Sequence, residues 1–226
     1  MTDRVRLAVD DRVASLTIDR PDKRNAMSRD MWRALLRHVR TIQATPGIVA
    51  VVLRGAGGSF SAGGDLAELR APDPDDVAGH RRLAETAVLA LTDLAPPKLA
   101  QIDGPCFGAG CSLALACDVR ICTPAATFRI PALGHGLTYE TVFVRRLVQA
   151  VGAGPAGLLL YGGQRWTAAE AAAHGLVDRC TPDATAAVEE VLTWLRGTDV
   201  DAIVATAAAI RSVAETRHER SPWICS

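Results

Sequence analysis

Two short segments rich in glycine and alanine carry the strongest chemical signal in the sequence. Residues 60–66 read Phe-Ser-Ala-Gly-Gly-Asp-Leu, and residues 103–112 read Asp-Gly-Pro-Cys-Phe-Gly-Ala-Gly-Cys-Ser. Each segment places small residues where a strand is expected to turn into a helix, so backbone N–H groups can approach a ligand closely. Two such turns side by side would offer a pair of N–H donors to one developing oxyanion, the usual way to stabilise acyl chemistry.

These two segments belong to a series of ordered matches to one family. The sequence resembles the crotonase (enoyl-CoA hydratase/isomerase) superfamily over nearly its whole length, at residues 17–27, 60–66, 103–112, 117–121, 128–147 and 167–177. The resemblance implies a spiral of ββα units with a mostly parallel sheet, and an acyl-CoA thioester as the substrate. It does not select the reaction, because one fold hosts many chemistries.

The resemblance also assigns binding roles to this chain. The N–H groups of Ala62 and Ala109 occupy the positions whose family counterparts form the oxyanion hole for the thioester carbonyl. Asp65 adjoins the first turn, where a carboxylate more often caps the following helix, and Gly110 lies at the start of the helix after the second turn. Family contacts with CoA, mostly through the backbone, fall on Arg24, Ala26, Ala62, Gly64 and Leu66.

The two glutamates that hydratases of this family use are both missing. Their positions fall on Ser112 and Ala132, so two-acid hydration is not expected, although both residues are predicted to line the substrate site. His135 is a further candidate for substrate binding, since histidine titrates near neutral pH. A lone histidine is more often a hydrogen-bonded structural residue.

A third acidic position is filled. Residues 136–140, Gly-Leu-Thr-Tyr-Glu, resemble a stretch in which some family isomerases, including dienoyl-CoA isomerases, place a carboxylate. One carboxylate in an apolar pocket can lift a proton from one carbon and return it to another. The competing interpretation makes Glu140 a first-turn helix residue favoured by the helix dipole. Tyr139 is expected to point elsewhere on that helix.

Strand and helix patterns alternate along the chain, which predicts an α/β fold with right-handed crossovers. Residues 5–10 and 13–19 alternate as a hairpin, and Ser28 is a good N-cap for a helix over Arg29–Ala44. Further helices are predicted at residues 77–94, 108–116, 138–151 and 201–219, short buried strands at 48–54, 99–102 and 118–122, and core at 158–161. We assign residues 1–195 to the spiral core and 196–226 to a short C-terminal helical segment, shorter than is typical of the family.

Composition narrows the class of protein. The chain has 226 residues, 49% of them hydrophobic, and 25 basic against 25 acidic residues, so nothing points to nucleic acid or an anionic membrane. Residues 1–12 lack the apolar core of a signal peptide, and no apolar run reaches membrane-spanning length. The six cysteines show no metal-binding spacing. We expect reduced, structural thiols, a cytoplasmic protein and no metal.

We therefore predict a cytoplasmic crotonase-fold enzyme of fatty acid metabolism that isomerises the double bond of an enoyl-CoA, with Glu140 as the single acid/base. No cofactor is expected beyond the CoA of the substrate. Decarboxylation or hydrolysis of an acyl-CoA is the enzymatic alternative, and a catalytically silent CoA-binding accessory subunit is the other. The resemblance further implies a homotrimer or a hexamer of paired trimers.

Overall fold

The computed structural model describes residues 4–219 of the chain, and its main feature is a six-stranded sheet. The strand order is β1-β2-β3-β4-β6-β9, with β1 antiparallel to β2 and every other neighbour parallel. A second sheet of three short strands has the order β5-β7-β8. The strands are β1 (Val5–Asp10), β2 (Val13–Ile18), β3 (Ala50–Gly55), β4 (Lys98–Ile102), β5 (Pro105–Phe107), β6 (Val119–Cys122), β7 (Thr127–Arg129), β8 (Arg165–Thr167) and β9 (Arg179–Cys180).

Helices connect the strands and cover both faces of the main sheet. They are α1 (Arg29–Ala44), α2 (Leu66–Leu69), α3 (Pro74–Thr92), α4 (Ala109–Leu115), α5 (Thr141–Val151), α6 (Ala153–Leu160), α7 (Ala168–Ala173), α8 (Ala184–Arg196) and α9 (Val200–Glu219). One-turn 3₁₀ helices lie at Pro21–Lys23 and Leu133–His135. The predicted α/β architecture with a mostly parallel sheet and a C-terminal helix is confirmed.

Helix α1 begins after Ser28, as the sequence predicts. Ser28 is the N-cap of α1, and its side chain accepts a hydrogen bond from the N–H of Met31. Such a cap contributes about 1 kcal/mol to helix stability. The apolar face of α1, which includes Trp32 and Leu35, is fully buried against the sheet. The helix therefore provides a fixed wall for the pocket described below.

Two expectations about the second half of the chain are only partly correct. The helix predicted over residues 138–151 begins at Thr141, because residues 137–140 are not helical and Glu140, with φ −64° and ψ 139°, is the N-cap. The run over residues 158–161 is predicted to be core, which is correct for the buried Leu159, but Leu158 is 42% exposed and Tyr161 is 77% exposed. Only one face of a helix can be buried when the helix lies on the protein surface.

The described cysteines are unpaired thiols, as the sequence predicts. Cys106, Cys111, Cys117 and Cys122 are buried, whereas Cys180 is exposed. Burial raises the pKa of Cys117 to about 12, which keeps this thiol protonated and inert. Cys225 lies in the C-terminal segment outside the described residues. Over residues 4–219, no helix has the length and apolarity needed to cross a membrane.

The C-terminal helix α9 packs against the core through Ile203 and Ala207 and through a charge cluster around Lys98. Lys98 is fully buried, and its ammonium group lies 2.9 Å from a carboxylate oxygen of Asp118. Arg211 of α9 binds the same carboxylate at 3.3 Å and donates to the carbonyl of Ala95 at 2.8 Å. Removing Asp118 would leave the buried Lys98 ammonium without its anionic partner. These contacts fasten α9 to the turn between α3 and β4.

Candidate active site

The two small-residue turns lie side by side, joined by a short parallel bridge. Ser61 N–H donates to the Pro105 carbonyl at 3.0 Å, and Phe107 N–H donates to the Ser61 carbonyl at 2.8 Å. A third segment joins them, because Met27 N–H donates to the Gly63 carbonyl at 2.7 Å. The site is therefore built from backbone segments that are far apart in the sequence, as the paired-turn prediction requires.

Glycine is required where these turns touch. Gly63 has φ +102°, and a Cβ placed there would lie 2.9 Å from the carbonyl oxygen of Phe107. A Cβ at Gly110 would lie 2.7 Å from the carbonyl oxygen of Ser61. Real Cβ atoms do not approach a backbone oxygen so closely, so both positions exclude a side chain. The predicted importance of Gly110 thus has a packing cause.

The predicted role of Ala62 as an oxyanion donor is wrong on this geometry. Ala62 N–H donates to the carbonyl of Arg24 at 2.8 Å, so this donor is already engaged within the protein. Ala109 differs, because it is the first residue of α4, and the first N–H groups of a helix have no partner inside that helix. Ala109 therefore presents a donor to the pocket that it lines.

A second N–H group that faces the pocket is present at Gly64. Met27 accepts from Asp65 N–H at 2.9 Å and donates to the Gly63 carbonyl, which forms a parallel bridge between Met27 and Gly64. In a parallel bridge of this pattern, the N–H of the intervening residue points away from the partner. The N–H of Gly64 is therefore directed away from Met27, and Gly64 lines the pocket.

One pocket lies beside these donors, and it unites most of the predicted site residues. Its lining includes eight of them: Ala62, Gly64, Leu66, Ala109, Ser112, Ala132, His135 and Glu140. Apolar side chains, including Trp32, Leu69 and Phe143, form much of the remaining wall. The two turns and the segment around Glu140 thus lie around one pocket.

Four predicted binding residues lie outside this pocket lining. Arg24 is exposed and has the left-handed backbone conformation φ 48°, ψ 40°, and Ala26 is half-buried in the same turn. Gly110 packs against Ser61 behind the pocket. Asp65 is the N-cap of α2, as the alternative interpretation predicts, since its side chain accepts from Ala67 N–H at 3.0 Å.

Asp65 is also part of an ion pair that holds the first turn. Arg20 lies 2.6 Å from its carboxylate, and Arg20 also donates to the carbonyl of Ala26 at 3.1 Å. Burial would raise the pKa of Asp65, but the hydrogen bonds from Arg20 and Ala67 outweigh it and lower the pKa of this carboxyl. Asp65 is thus a charged structural residue that links two of the three backbone segments.

Glu140 faces the pocket but is not an isolated carboxylate. Arg81 of α3 donates from Nε to Oε1 of Glu140 at 2.7 Å, and its Nη2 donates to the hydroxyl and the carbonyl of Thr138 at 3.0 and 3.2 Å. The Glu140 side chain is 21% exposed and that of Arg81 is 32% exposed. The sequence predicts one carboxylate in an apolar pocket, and the structure adds a cationic partner, Arg81, that the sequence did not predict.

Tyr139 also lines the pocket, contrary to the prediction that it points elsewhere. Its hydroxyl lies 2.5 Å from Oγ of Ser112 and 3.2 Å from the carbonyl oxygen of Gly108. The prediction fails because it assumes helical geometry at residues 138–140. Ser112 lines the pocket as the sequence predicts, but it is 1% exposed and its hydroxyl is used in this contact. Ala132, at the second hydratase position, offers only a methyl group to the pocket.

Two histidines border the pocket in different ways. Nδ1 of His135 lies 3.0 Å from a guanidinium nitrogen of Arg70, and since arginine only donates, this ring nitrogen is the acceptor. His80 is buried, with Nδ1 at 2.8 Å from Glu68 and Nε2 at 3.3 Å from the indole nitrogen of Trp32. Burial, opposed by Glu68, lowers the pKa of His80, so this ring is neutral near pH 7.

Sequence reasoning missed Arg81, His80 and Trp32 as parts of the site. All three lie in helices, α1 and α3, that belong to none of the motifs quoted above, and each has ordinary helical spacing in the sequence. Tyr139 is adjacent to Glu140 in the sequence, but the helix predicted from residue 138 gave its side chain the wrong direction. No group of three or more potential metal ligands occurs in the part of the chain that is described.

Known proteins similar to this chain share both its sequence pattern and its fold. The family model for enoyl-CoA hydratase/isomerase matches residues 9–221. The Mycobacterium tuberculosis protein named probable enoyl-CoA hydratase EchA14 is 33% identical over 94% of this chain and 83% of its own length. The mitochondrial Delta(3,5)-Delta(2,4)-dienoyl-CoA isomerase of Rattus norvegicus is 33% identical over 76% of this chain and 56% of its own.

A solved structure agrees with these sequence matches. The enoyl-CoA hydratase/carnithine racemase of Magnetospirillum magneticum superimposes with a TM-score of 0.89 and 28% identity, over 94% of this chain and 82% of that one. The match to a Bacillus subtilis relative covers 65% of that protein, so this chain spans less than two thirds of the length of some relatives.

Proposed function

The chain belongs to the enoyl-CoA hydratase/isomerase family, and we propose that it isomerises the double bond of an enoyl-CoA with Glu140 as the single acid/base. The observation that carries this proposal is the position of Glu140. Among the described residues that line the pocket, it is the one carboxylate, and the pocket also contains Gly64 and Ala109 with their N–H groups. A buried enolate-forming site needs this combination.

The absence of carboxylates at Ser112 and Ala132 argues against hydration. A water molecule that adds across a double bond must be deprotonated, and the α-carbon must receive a proton. The hydroxyl of Ser112 is engaged by Tyr139, and Ala132 has no proton to exchange. The relatives include proteins named as a hydratase and as an isomerase, so the family alone does not select between them.

The proposed reaction proceeds through an enolate. Glu140 Oε1 accepts from Arg81, which leaves Oε2 to take the proton from C2 of a 3-enoyl thioester. The electron pair of the broken C–H bond moves towards the thioester oxygen, which accepts hydrogen bonds from Gly64 and Ala109. Glu140 then returns a proton to C4 as the double bond moves from C3–C4 to C2–C3. The proton stays within the substrate–enzyme pair, so no cofactor is needed.

The CoA portion of the substrate is proposed to lie outside the acyl pocket. Arg24 is exposed in the turn that follows the 3₁₀ helix Pro21–Lys23, and Ala26 lies in the same turn. Leu66 lines the pocket. A guanidinium in this position can bind a phosphate in bidentate fashion. We further propose a trimer or a paired trimer. We also propose a cytoplasmic location, because unpaired thiols are typical of a reducing compartment. Sedimentation that shows only monomer at micromolar concentration would contradict the trimer.

The experiment that tests the function is a panel of acyl-CoA substrates followed by absorbance and mass. We expect conversion of a 3-enoyl-CoA to its conjugated isomer, and loss of that activity in Glu140→Gln with CoA affinity nearly unchanged. Glu85→Gln is the matched control, because Glu85 lies on α3 and does not line the pocket. Isomerisation that survives Glu140→Gln would show that another group is the base.

The same panel separates the alternatives. Loss of CO₂ or release of free CoA from the thioester would identify a decarboxylase or a hydrolase. Binding of acyl-CoA with no chemistry on any member of the panel would identify a silent accessory subunit. The Glu140 side chain is mostly buried in a pocket with two backbone donors, which favours an enzyme over a silent protein.

A further inference from the structure

The hydroxyl group of Tyr139 contacts the peptide unit whose N–H is the proposed oxyanion donor. The peptide between Gly108 and Ala109 contributes the Gly108 carbonyl on one side and the Ala109 N–H on the other. Tyr139 lies 3.2 Å from that carbonyl oxygen, and Ser112 Oγ lies 2.5 Å from the Tyr139 oxygen. Because a carbonyl oxygen only accepts, the Tyr139 O–H donates to Gly108, and the Tyr139 oxygen accepts from Ser112.

We propose that Tyr139 is a positioning residue of the oxyanion hole: its hydroxyl holds and polarises the Gly108–Ala109 peptide so that Ala109 N–H is a stronger, correctly aimed donor. Ser112 orients the tyrosine hydroxyl. This inference rests on the proposed role of Ala109 but not on the identity of the base. It gives Ser112, at a position where hydratases have an acid, a function that needs no carboxylate.

The Gly108–Ala109 peptide follows a residue whose backbone no side chain restrains. Gly108 has φ +49° and ψ −116°, a conformation open to glycine, and it has no side chain to limit rotation of the following peptide. Its carbonyl already accepts from the N–H groups of Cys111 and Ser112, at 2.9 and 3.3 Å. A hydrogen bond from Tyr139 adds a donor from outside α4, and hydrogen bonds in a chain polarise one another. A more polarised peptide has a better N–H donor.

The surroundings of Tyr139 suit a neutral donor. Burial raises the pKa of Tyr139 well above its usual value, so the phenol keeps its proton. Its ring packs against Phe143, with ring centres 5.7 Å apart, so Tyr139→Phe retains the packing and removes only the hydroxyl. The competing possibility is that Tyr139 transfers a proton directly to the substrate, and the experiment below distinguishes the two.

The experiment uses the absorption of bound cinnamoyl-CoA, whose conjugated thioester shifts to longer wavelength when its carbonyl oxygen is polarised. We expect a shift on binding to the unsubstituted protein and a smaller shift in Tyr139→Phe. With a 3-enoyl-CoA, we expect kcat of Tyr139→Phe to fall about tenfold while KM changes little, since the donor acts mainly on the enolate. Tyr161→Phe is the control, because it removes a hydroxyl from the exposed second tyrosine of the chain.

Other outcomes overturn the inference. A Tyr139→Phe protein with reduced kcat but an unchanged absorption shift would identify Tyr139 as a direct proton donor. If the absorption of cinnamoyl-CoA does not shift in the unsubstituted protein, the pocket does not polarise the thioester carbonyl and the inference is wrong. If Tyr139→Phe does not fold, Ser112→Ala must lower the shift in the same direction, and an unchanged shift there contradicts the inference. An absorption shift that depends on Tyr139, in a protein without isomerase activity, would refute the proposed reaction and leave the positioning role of Tyr139 intact.

Discussion

Arg81 and Glu140, which both line the pocket, form an ion pair with Arg81 Nε 2.7 Å from Glu140 Oε1. The two residues are separated by 59 positions in the sequence and lie on α3 and at the N-cap of α5. The pair also engages Thr138, so it fixes the non-helical segment before α5. The proposed base is therefore held in place by another residue that lines its own pocket.

Arg81→Met should lower the isomerase activity with little change in substrate affinity. Without Arg81 the Glu140 carboxylate loses its anchor, and misplacing a reacting group by about 1 Å can cost roughly 100-fold in rate. We expect kcat to fall by about 10- to 100-fold, measured on a 3-enoyl-CoA. Arg82→Met, on the exposed face of the same helix, is the control. A fully active Arg81→Met protein would show that the anchor is not needed.

Hydration of crotonyl-CoA should be very slow in the unsubstituted protein. Loss of general acid/base assistance commonly costs roughly 10²- to 10⁴-fold per group, and both hydratase positions lack a carboxylate. Isomerisation of a 3-enoyl-CoA should be much faster on the same preparation. The loss or gain of the conjugated absorbance measures both reactions. Brisk hydration would mean that the acid has been assigned to the wrong residue.

Gly110→Leu should abolish binding of acyl-CoA. Even a Cβ at this position would lie 2.7 Å from the Ser61 carbonyl, so a larger side chain must separate the two turns that supply the N–H donors. Isothermal calorimetry with an acyl-CoA measures the loss. Gly154→Leu is the matched control, because Gly154 is also the second residue of a helix and a Cβ placed there would meet no atom within 4 Å. Equal affinity in Gly110→Leu and the control would refute the paired-turn site.

The free energy of unfolding should decrease as the pH is lowered below about 6.5, and protonation of His80 accounts for part of that decrease. The pKa of His80 is lowered in the folded protein, mainly by burial, so the unfolded chain binds the proton more readily. The His80 contribution is therefore complete above the unfolded pKa and is lost as the pH drops through the folded value. Urea unfolding at pH values of about 7.5 and about 5.5 measures the loss.

His80→Asn is the comparison for that pH effect. The variant lacks the titrating ring, so its stability should decline less over this interval than that of the unsubstituted protein. Groups that titrate in both proteins and do not contact His80 cancel in the difference. An identical decline in the two proteins would show that the Glu68–His80–Trp32 contacts do not depend on a neutral histidine.

The sequence by itself determined the features that depend on neighbouring residues. Apolar runs and turn residues predicted the strands and most helices, and Ser28 and Asp65 act as the N-caps that their residue types favour. The small residues at 60–66 and 103–112 predicted two close turns, because only small side chains permit such backbone contact. Together with the family resemblance, these local signals were enough to locate the pocket and to name Glu140.

Only the tertiary structure decided which groups in the pocket are free to act. The engagement of Ala62 N–H by Arg24, the pairing of Glu140 with Arg81 and the contact of Tyr139 with Gly108 each join segments distant in sequence. Such contacts depend on backbone direction and on how helices pack, and neither is encoded in a local pattern of residue types. Because α5 begins at Thr141 and not at residue 138, Tyr139 is not helical, and its side chain lines the pocket.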